Sequence, residues 1–138
     1  MHEFTTRRKI EFVDTDMGGI VHFSRFFVFM ETAEHQFLEA LGTSVSTEHE
    51  GRKIGWPRVA ASCEYRNPAR FGEELEIRVR VRRKGKTSMT YEFTFRRDGR
   101  VVAEGRMTSV CCVLDSAEEV RAIPIPSSIR DRIDEPPV

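Results

Sequence analysis

The sequence predicts an α+β fold in which one long helix precedes an antiparallel sheet of about five strands. A long early stretch has no glycine or proline and carries apolar residues at helical spacing, whereas later segments alternate apolar and polar residues with period two. The 138 residues fall in the usual size range of one domain, and no stretch of contrasting composition indicates a second. We therefore expect a single domain over residues 1–138.

The first predicted element is a strand close to the N-terminus. Residues 6–13 alternate loosely, with Ile10 and Phe12 on the apolar face. The segment at residues 14–19, Asp-Thr-Asp-Met-Gly-Gly, ends this strand. Its two glycines allow a tight turn and a close approach of the backbone to a ligand. This segment is the most informative part of the chain for function.

The longest predicted element is a helix over residues 23–41. Ser24 is a candidate N-cap, and Gly42 is a candidate C-terminal stop. The apolar stripe of this helix is too wide for a helix on one flat surface, so we expect a curved sheet or a second subunit to cover it. The stripe consists of Phe26, Met30, Ala33, Phe37 and Leu41, widened by Phe27, Phe29 and Leu38.

The remainder of the chain is predominantly β. Residues 43–55 are polar and mixed, and we interpret them as a loop with at most one helical turn. Asp98-Gly99 is typical of a tight hairpin turn. The predicted strands cover residues 59–65, 75–82, 89–95 and 100–114. Beyond them, we expect an extended segment at 123–126, at most a short helix at 127–133, and a frayed tail at 133–138.

Charge and cysteine content narrow the class of protein. The 22 basic and 22 acidic residues cancel, which argues against nonspecific binding of nucleic acid. Three cysteines cannot all pair within the chain, and Cys111 and Cys112 are adjacent, so we expect a reducing, cytoplasmic environment. The N-terminus has no apolar signal core, and no stretch approaches the ~20 apolar residues of a membrane span. Neither nucleic acid nor a membrane is an expected partner.

Two carboxylates leave the first strand close together. If the strand continues, Asp14 and Asp16 share a face, and if the chain turns, only one of them need face a cleft. A carboxylate beside the N-terminus of a helix suits chemistry in which one group attacks and others accept negative charge. Capping of the turn is the alternative. A calcium loop is excluded because the twelfth residue counted from Asp14 is Arg25, not an acid.

Other candidate side chains are each open to two interpretations. Glu31 lies within the apolar helix, so it must face a polar cleft or have a partner. The basic turn at residues 82–87 can hold phosphates or be a solvated charge run. His22 and His35 lack the spacing of a zinc site, so no metal is expected.

Several motifs occur together along nearly the whole chain. They are Asp14-Thr15-Asp16 with Gly18-Gly19-Ile20-Val21, the aromatic-rich helix with Glu31 and Ala33, Gly55-x-Pro57, and Gly85-Lys86-Thr87-Ser88. Together they resemble the 4-hydroxybenzoyl-CoA thioesterase family of hotdog-fold proteins. The resemblance implies a sheet wrapped around one central helix and subunits that pair their sheets edge to edge as a homodimer or a dimer of dimers. It also implies acyl-CoA bound at the subunit boundary, with no cofactor beyond the coenzyme A of the substrate.

The resemblance assigns roles by position. Asp16 is expected to be the catalytic carboxylate, acting as nucleophile through a mixed anhydride or as general base toward water. The backbone N–H of Phe23 is expected to polarise the thioester carbonyl. The residues expected to support these two groups are Asp14, Gly18, Gly19 and His22. The residues expected to bind substrate are Glu31, at a hydroxyl of the acyl group, and Lys84, Lys86 and Thr87, at the phosphates of coenzyme A.

The expected function is hydrolysis of an acyl-CoA thioester to the free acid and coenzyme A, and Phe23 favours an aromatic or hydroxyaryl acyl group. Two alternatives remain: a thioesterase that uses Glu31 as its carboxylate, and a noncatalytic module that binds acyl-CoA or an acyl carrier. Two positions depart from the family pattern. His22-Phe23 replaces the Tyr-His pair of many bacterial relatives, and Glu34 stands where relatives often carry Arg.

Overall fold

The periodic patterns of the sequence form nine strands, one long helix and one short helix in the computed structural model, which describes residues 1–114 and 120–136. The strands are β1 (Glu3–Lys9), β2 (Thr47–His49), β3 (Arg52–Gly55), β4 (Arg58–Tyr65), β5 (Glu74–Lys84), β6 (Ser88–Arg97), β7 (Arg100–Val110), β8 (Cys112–Val113) and β9 (Arg121–Ala122). The helices are α1 (Arg25–Ala40), α2 (Ser127–Arg130) and one 3-10 turn (Phe12–Asp14).

The main sheet is antiparallel and has five strands in the order β1-β5-β6-β7-β4. A second sheet joins the short strands in the order β2-β3-β8-β9. Asp98 (φ 50°) and Gly99 (φ 78°) form the turn between β6 and β7 in the left-handed conformation that tight hairpins require. The predicted α+β layout, the five-strand sheet and this hairpin are confirmed.

Helix α1 packs against one face of the main sheet. The inward residues of β5 and β6 alternate with polar ones, so this face is continuously apolar. The ring of Phe37 lies 6.1 Å from that of Tyr91, and the ring of Phe26 lies 5.3 Å from that of Phe95. All four side chains are buried, and each burial contributes on the order of 2–3 kcal/mol. The core of the molecule therefore lies between α1 and the sheet.

The two ends of α1 are close to the predicted positions. Gly42 follows the helix with a φ of 83°, a conformation that glycine adopts without strain. Ser24 precedes the helix, but its side chain does not bond a helix N–H. The Ser24 hydroxyl instead lies 2.8 Å from Nδ1 of His22. Ser24 therefore occupies the predicted N-cap position, but its side chain does not make the capping hydrogen bond.

The outer face of the main sheet carries paired charges. Glu3 on β1 contacts Arg78 at 2.7 Å and Arg80 at 3.6 Å, both on β5. Glu92 on β6 contacts Arg106 on β7 at 2.7 Å and Arg82 on β5 at 3.7 Å. Cross-strand neighbours of opposite charge stabilise a sheet modestly, and exposed pairs of this kind are screened by salt. This face of the sheet is therefore polar throughout its centre.

Strand β4 forms one edge of the main sheet, and most of its residues are exposed. Within the described residues, no strand pairs with its outer side. Val59 is 63 % exposed and Tyr65 is 45 % exposed on this strand, and Val28 of α1 is 40 % exposed. An edge with unpaired backbone groups and exposed apolar side chains is the type of surface on which another strand can pair.

Residues 43–55 differ from the predicted loop. They contain the hairpin β2–β3, in which Thr47 pairs with Ile54 and His49 pairs with Arg52. The turn consists of Glu50 and Gly51, whose φ angles are 53° and 77°. The sequence pattern did not reveal it because a three-residue strand is too short to show a period of two.

Part of the predicted frayed tail, residues 133–138, contacts the body of the protein. Ile133 is 2 % exposed, and its carbonyl accepts a hydrogen bond of 2.8 Å from the Lys84 ammonium. Lys84 also contacts Glu135 at 3.2 Å, and Asp134 contacts the N-terminal amine. Burial of one isoleucine and these ionic contacts hold the segment against the body of the protein. Residues 137–138 of the predicted tail lie outside the described residues.

Candidate active site

The turn at Asp16 presents its carboxylate to solvent. The Asp16 backbone N–H bonds the Ile20 carbonyl at 2.9 Å, and the Asp16 carbonyl accepts the Gly19 N–H at 3.0 Å. The Gly18 N–H donates to Oδ1 of Asp16 at 2.8 Å. Gly19 has a φ of 80°, which favours glycine at that position. The two glycines therefore form the tight turn that the sequence predicts, and the exposed Asp16 side chain is oriented by it.

Asp14 has a different environment because its side chain is fully buried. Oδ2 accepts the Glu11 N–H at 2.8 Å, and Oδ1 accepts Nε of Arg25 at 3.0 Å. Arg8 lies 3.4 Å away on the other side. Burial opposes ionisation, but these donors outweigh it and hold the pKa of Asp14 below its usual value. Asp14 is thus an ionised structural group, and the two acids of the motif are not equivalent.

The start of α1 lies beside the Asp16 turn. Val21 pairs with Thr15 across the loop, and the His22 N–H bonds the Asp14 carbonyl at 2.8 Å. Within residues 1–114 and 120–136, the backbone N–H of Phe23 has no hydrogen-bond acceptor. An N–H without a partner at a helix N-terminus is well placed to donate a hydrogen bond to a ligand oxygen that carries negative charge.

Tyr65 connects the edge strand to this helix start. Its hydroxyl donates to the Phe23 carbonyl at 2.9 Å, and its ring packs edge-on against Phe26 at 5.4 Å. His22 stacks on Phe23 with ring centroids 4.6 Å apart, and His22 Nδ1 accepts the Ser24 N–H at 3.2 Å. These contacts fix the backbone at Phe23 from both sides.

Asp16 lies on the wall of a mainly apolar pocket of about 470 Å³. This volume falls within the range of small-molecule sites. Apolar atoms supply most of the lining, including those of the aromatic residues Phe23, Phe26 and Tyr65. The lining residues are Asp16, Ile20, Val21, Phe23, Phe26, Tyr65, Arg66, Asn67, Pro68 and Ala69.

Glu31 does not lie in this pocket. Its side chain is 56 % exposed, and a carboxylate oxygen lies 3.9 Å from Arg58. The buried acid of α1 is instead Glu34, which is 1 % exposed, pairs with Arg58 and accepts the Ser109 hydroxyl at 3.1 Å. Burial raises the pKa of Glu34 to about 7, although Arg58 and Ser109 oppose the change. The alternative that Glu31 has a partner therefore holds, and Arg58 is that partner.

The basic turn lies at the opposite end of the main sheet from Asp16. Strand β5 runs from Glu74, which pairs with Lys9 near the Asp16 loop, to Lys84 at the turn. Its 11 residues separate the two ends by roughly 33 Å. Lys84 is occupied by the C-terminal segment, whereas Lys86 is exposed. Within one protomer, the basic turn therefore does not meet the Asp16 pocket.

Comparison with known proteins places the chain in a family. Residues 10–133 match the thioesterase-like superfamily. The chain belongs to this superfamily. It is 26 % identical over 132 residues to a 1,4-dihydroxy-2-naphthoyl-CoA hydrolase of Synechococcus elongatus, with 95 % of each chain covered. The predicted family is confirmed.

Two solved structures show the same fold as this superfamily member. A gentisyl-coenzyme A thioesterase has a TM-score of 0.83 at 32 % identity, covering 95 % of this chain and all of its own. A 4-hydroxybenzoyl-CoA thioesterase, solved with 4-hydroxybenzoyl-CoA, has a TM-score of 0.83 at 18 % identity, covering 97 % of this chain and 100 % of its own. The fold is therefore of the hotdog type. Among the described residues, no helix is long and apolar enough to cross a membrane.

The structure brings together only part of the predicted site. Asp16 and Phe23 line one pocket, and Gly18 and Gly19 form the turn that carries Asp16, whereas Glu31 and the basic turn lie elsewhere in the protomer. Sequence reasoning missed Tyr65 and the wall at residues 66–69. Asn67-Pro68, shortly after the predicted strand at residues 59–65, indicates a turn at this position. The sequence does not show that this strand ends beside α1, which becomes visible in the folded structure.

Proposed function

We propose that this protein is an acyl-CoA thioesterase that hydrolyses a thioester to the free acid and coenzyme A. The observation that carries the proposal is that Asp16, with its exposed carboxylate, and Phe23, whose N–H has no acceptor among the described residues, line the same mainly apolar pocket. Membership of the thioesterase-like superfamily supports it. A positioned carboxylate and a positioned N–H donor are the two groups that acyl transfer to water requires.

In the proposed reaction, Asp16 acts on the thioester carbon or on the water that attacks it. As general base, it accepts the water proton while the water oxygen bonds the carbonyl carbon. As nucleophile, it forms a mixed anhydride that water then opens. In both routes the carbonyl oxygen becomes negative and accepts the Phe23 N–H, the C–S bond breaks, and the coenzyme A thiolate takes up a proton. Loss of one such donor typically costs about 3 kcal/mol of barrier.

We propose an aromatic, hydroxyl-bearing acyl group as the preferred substrate. The rings of Phe23, Phe26 and Tyr65 line the pocket, and offset or edge-on contacts with a flat ring are favourable. Two relatives, the 1,4-dihydroxy-2-naphthoyl-CoA hydrolase and the gentisyl-CoA thioesterase, are named for hydroxyaryl thioesters.

We further propose that two copies pair through the free edge of β4. Antiparallel pairing of β4 with itself about a two-fold axis sets the Arg58 end of one strand beside the Tyr65 end of the other. Glu31 and the basic turn lie at the Arg58 end, as shown by the contact between Glu31 and Arg58 and the pairing of Ser88 with Val110. They would therefore reach the Asp16 pocket of the second copy. Lys86 and Thr87 are the proposed phosphate contacts, because Lys84 is engaged by Ile133 and Glu135.

A panel of acyl-CoA esters tests this function by thiol release. Wild type should release coenzyme A fastest from hydroxyaryl esters, and Asp16→Asn should lower kcat at least a hundredfold while retaining substrate affinity. Glu31→Gln is the matched carboxylate control: a binding role raises KM and leaves kcat within a few-fold. A large loss of kcat in Glu31→Gln with an active Asp16→Asn would instead assign catalysis to Glu31. Tight acyl-CoA binding by wild type without thiol release would favour a binding module.

A further inference from the structure

Arg25 forms an ion pair that closes the loop carrying both reacting groups. It is the first residue of α1, and its guanidinium reaches back to Asp14, with Nε at 3.0 Å and Nη2 at 2.8 Å from Oδ1. Asp14 precedes Asp16 by two residues, and Arg25 follows Phe23 by two. The Asp16 carboxylate and the Phe23 N–H therefore lie inside a loop whose two ends are joined by this contact.

Asp14 is a rigid anchor for that contact. Its side chain is fully buried and also accepts the Glu11 N–H at 2.8 Å, while its carbonyl accepts the His22 N–H at 2.8 Å. A buried carboxylate with several donors has little freedom to move, since each displaced bond leaves a polar group unsatisfied. The Arg25 side chain therefore adds a rigid contact to the backbone hydrogen bonds that hold the α1 N-terminus beside the Asp16 turn.

We propose that Arg25 is a positioning residue that holds the Phe23 N–H at the distance from Asp16 that thioester hydrolysis requires. The inference rests on the proposed function. A displacement of about 1 Å between reacting groups lowers the rate on the order of a hundredfold. A side chain that fixes the distance between two such groups can therefore affect turnover without touching the substrate.

Arg8 is a matched control for Arg25, because it also offsets the charge of Asp14 but does not lie in the loop that carries Asp16 and Phe23. It contacts the same Asp14 carboxylate at 3.4 Å and is exposed to a similar degree, 25 % against 29 % for Arg25. Arg8 extends from β1, however, and its guanidinium lies over the Phe29 ring at 5.0 Å, so it does not belong to the Asp16–Phe23 loop. Each arginine helps to neutralise Asp14, but Arg8 touches α1 through the Phe29 ring, whereas Arg25 joins Asp14 directly to the first residue of α1.

The test compares Arg25→Gln with Arg8→Gln in the full chain, measuring kcat, KM and Tm on the best substrate of the acyl-CoA panel. Arg25→Gln should lower kcat 10- to 100-fold with KM within threefold of wild type. Arg8→Gln should keep kcat within threefold of wild type, and it should lower Tm by about as much as Arg25→Gln does. Arg25→Lys, which keeps the charge but replaces the two-nitrogen contact by one ammonium, should give an intermediate kcat and provides the measurement if Arg25→Gln does not fold.

Three outcomes overturn the inference: an Arg25→Gln kcat within threefold of wild type, an equal loss of kcat in Arg8→Gln, or wild-type kcat in Arg25→Lys if Arg25→Gln does not fold. Failure of the proposed function gives a different result. In that case wild type releases no thiol, or Asp16→Asn is as active as wild type. An active wild type, an inactive Asp16→Asn and a fully active Arg25→Gln would refute only the positioning role.

Discussion

The buried carboxyl of Glu34 should make the stability of this protein fall between mildly acidic and mildly alkaline pH. Glu34 is 1 % exposed, and burial raises its pKa from 4.5 to about 7 in the folded state. The folded protein therefore holds a proton that the unfolded chain releases between these two values. The groups that surround Glu34 are Arg58, Ser109, Tyr91, Glu31 and His35.

The sign and size follow from proton linkage. A raised folded-state pKa gives a contribution that is fully present below the unfolded value of 4.5 and is lost as pH rises through about 7. Each pKa unit is worth about 1.4 kcal/mol, so the whole contribution is roughly 3 kcal/mol. About 2.5 kcal/mol of it should disappear between pH 5 and pH 8.

Urea unfolding of wild type and Glu34→Gln at intervals from pH 5 to pH 8 measures this contribution. The difference between the two free energies of unfolding should change by about 2.5 kcal/mol in the stated direction, because Gln cannot ionise. Glu31→Gln is the control, since Glu31 contacts the same Arg58 from an exposed position and its charge is the smallest of the influences that act on Glu34, so most of the pH dependence of wild type should be kept. Parallel pH profiles for wild type and Glu34→Gln would show that Glu34 holds no extra proton in the folded state.

Three further substitutions test the packing and the site. Asp14→Asn should lower the free energy of unfolding by about 3–5 kcal/mol in urea, because Arg8 and Arg25 lose a buried counter-charge; a loss under about 1 kcal/mol would contradict this. Tyr65→Phe removes the hydrogen bond to the Phe23 carbonyl and should lower kcat roughly tenfold in steady-state assays with little change in KM, whereas unchanged kcat would remove Tyr65 from the support of this backbone. Phe37→Ala should cost about 3–5 kcal/mol by urea unfolding, since its fully buried ring contacts Phe4 and Tyr91.

Elements with strong local signals could be predicted from the sequence. The period-two alternation of residues 75–95 reflects strands with one buried face, and Asp98-Gly99 supplies the left-handed turn that a tight hairpin needs. The Asp16 turn was also predictable, because Gly19 has a φ of 80°, a value that glycine adopts without strain and other residue types rarely adopt. In each case the deciding interaction lies within a few residues of the chain.

Features that depend on distant parts of the chain could not be predicted. Glu31 and Glu34 are both acids in an apolar helix, and nothing local shows that Glu34 faces Arg58 and Ser109 in the core while Glu31 is exposed. Lys84 belongs to a basic turn in the sequence, but its ammonium is used by a segment that begins 49 residues later. Long-range partners of this kind become visible only when the chain is folded.

The paired charges on the outer face of the sheet affect how fast an anionic substrate can arrive. Glu3 contacts Arg78 and Arg80, and Glu92 contacts Arg82 and Arg106, so two carboxylates offset half of the positive charge of four arginines and weaken the long-range attraction of this face for coenzyme A. Arg83 and Lys86, next to the turn between β5 and β6, have no ion-pair partner in the described part of the chain. Association should therefore be steered more by cations without an acidic neighbour, such as these two, than by the paired arginines, and its salt dependence should be smaller than the total arginine content suggests.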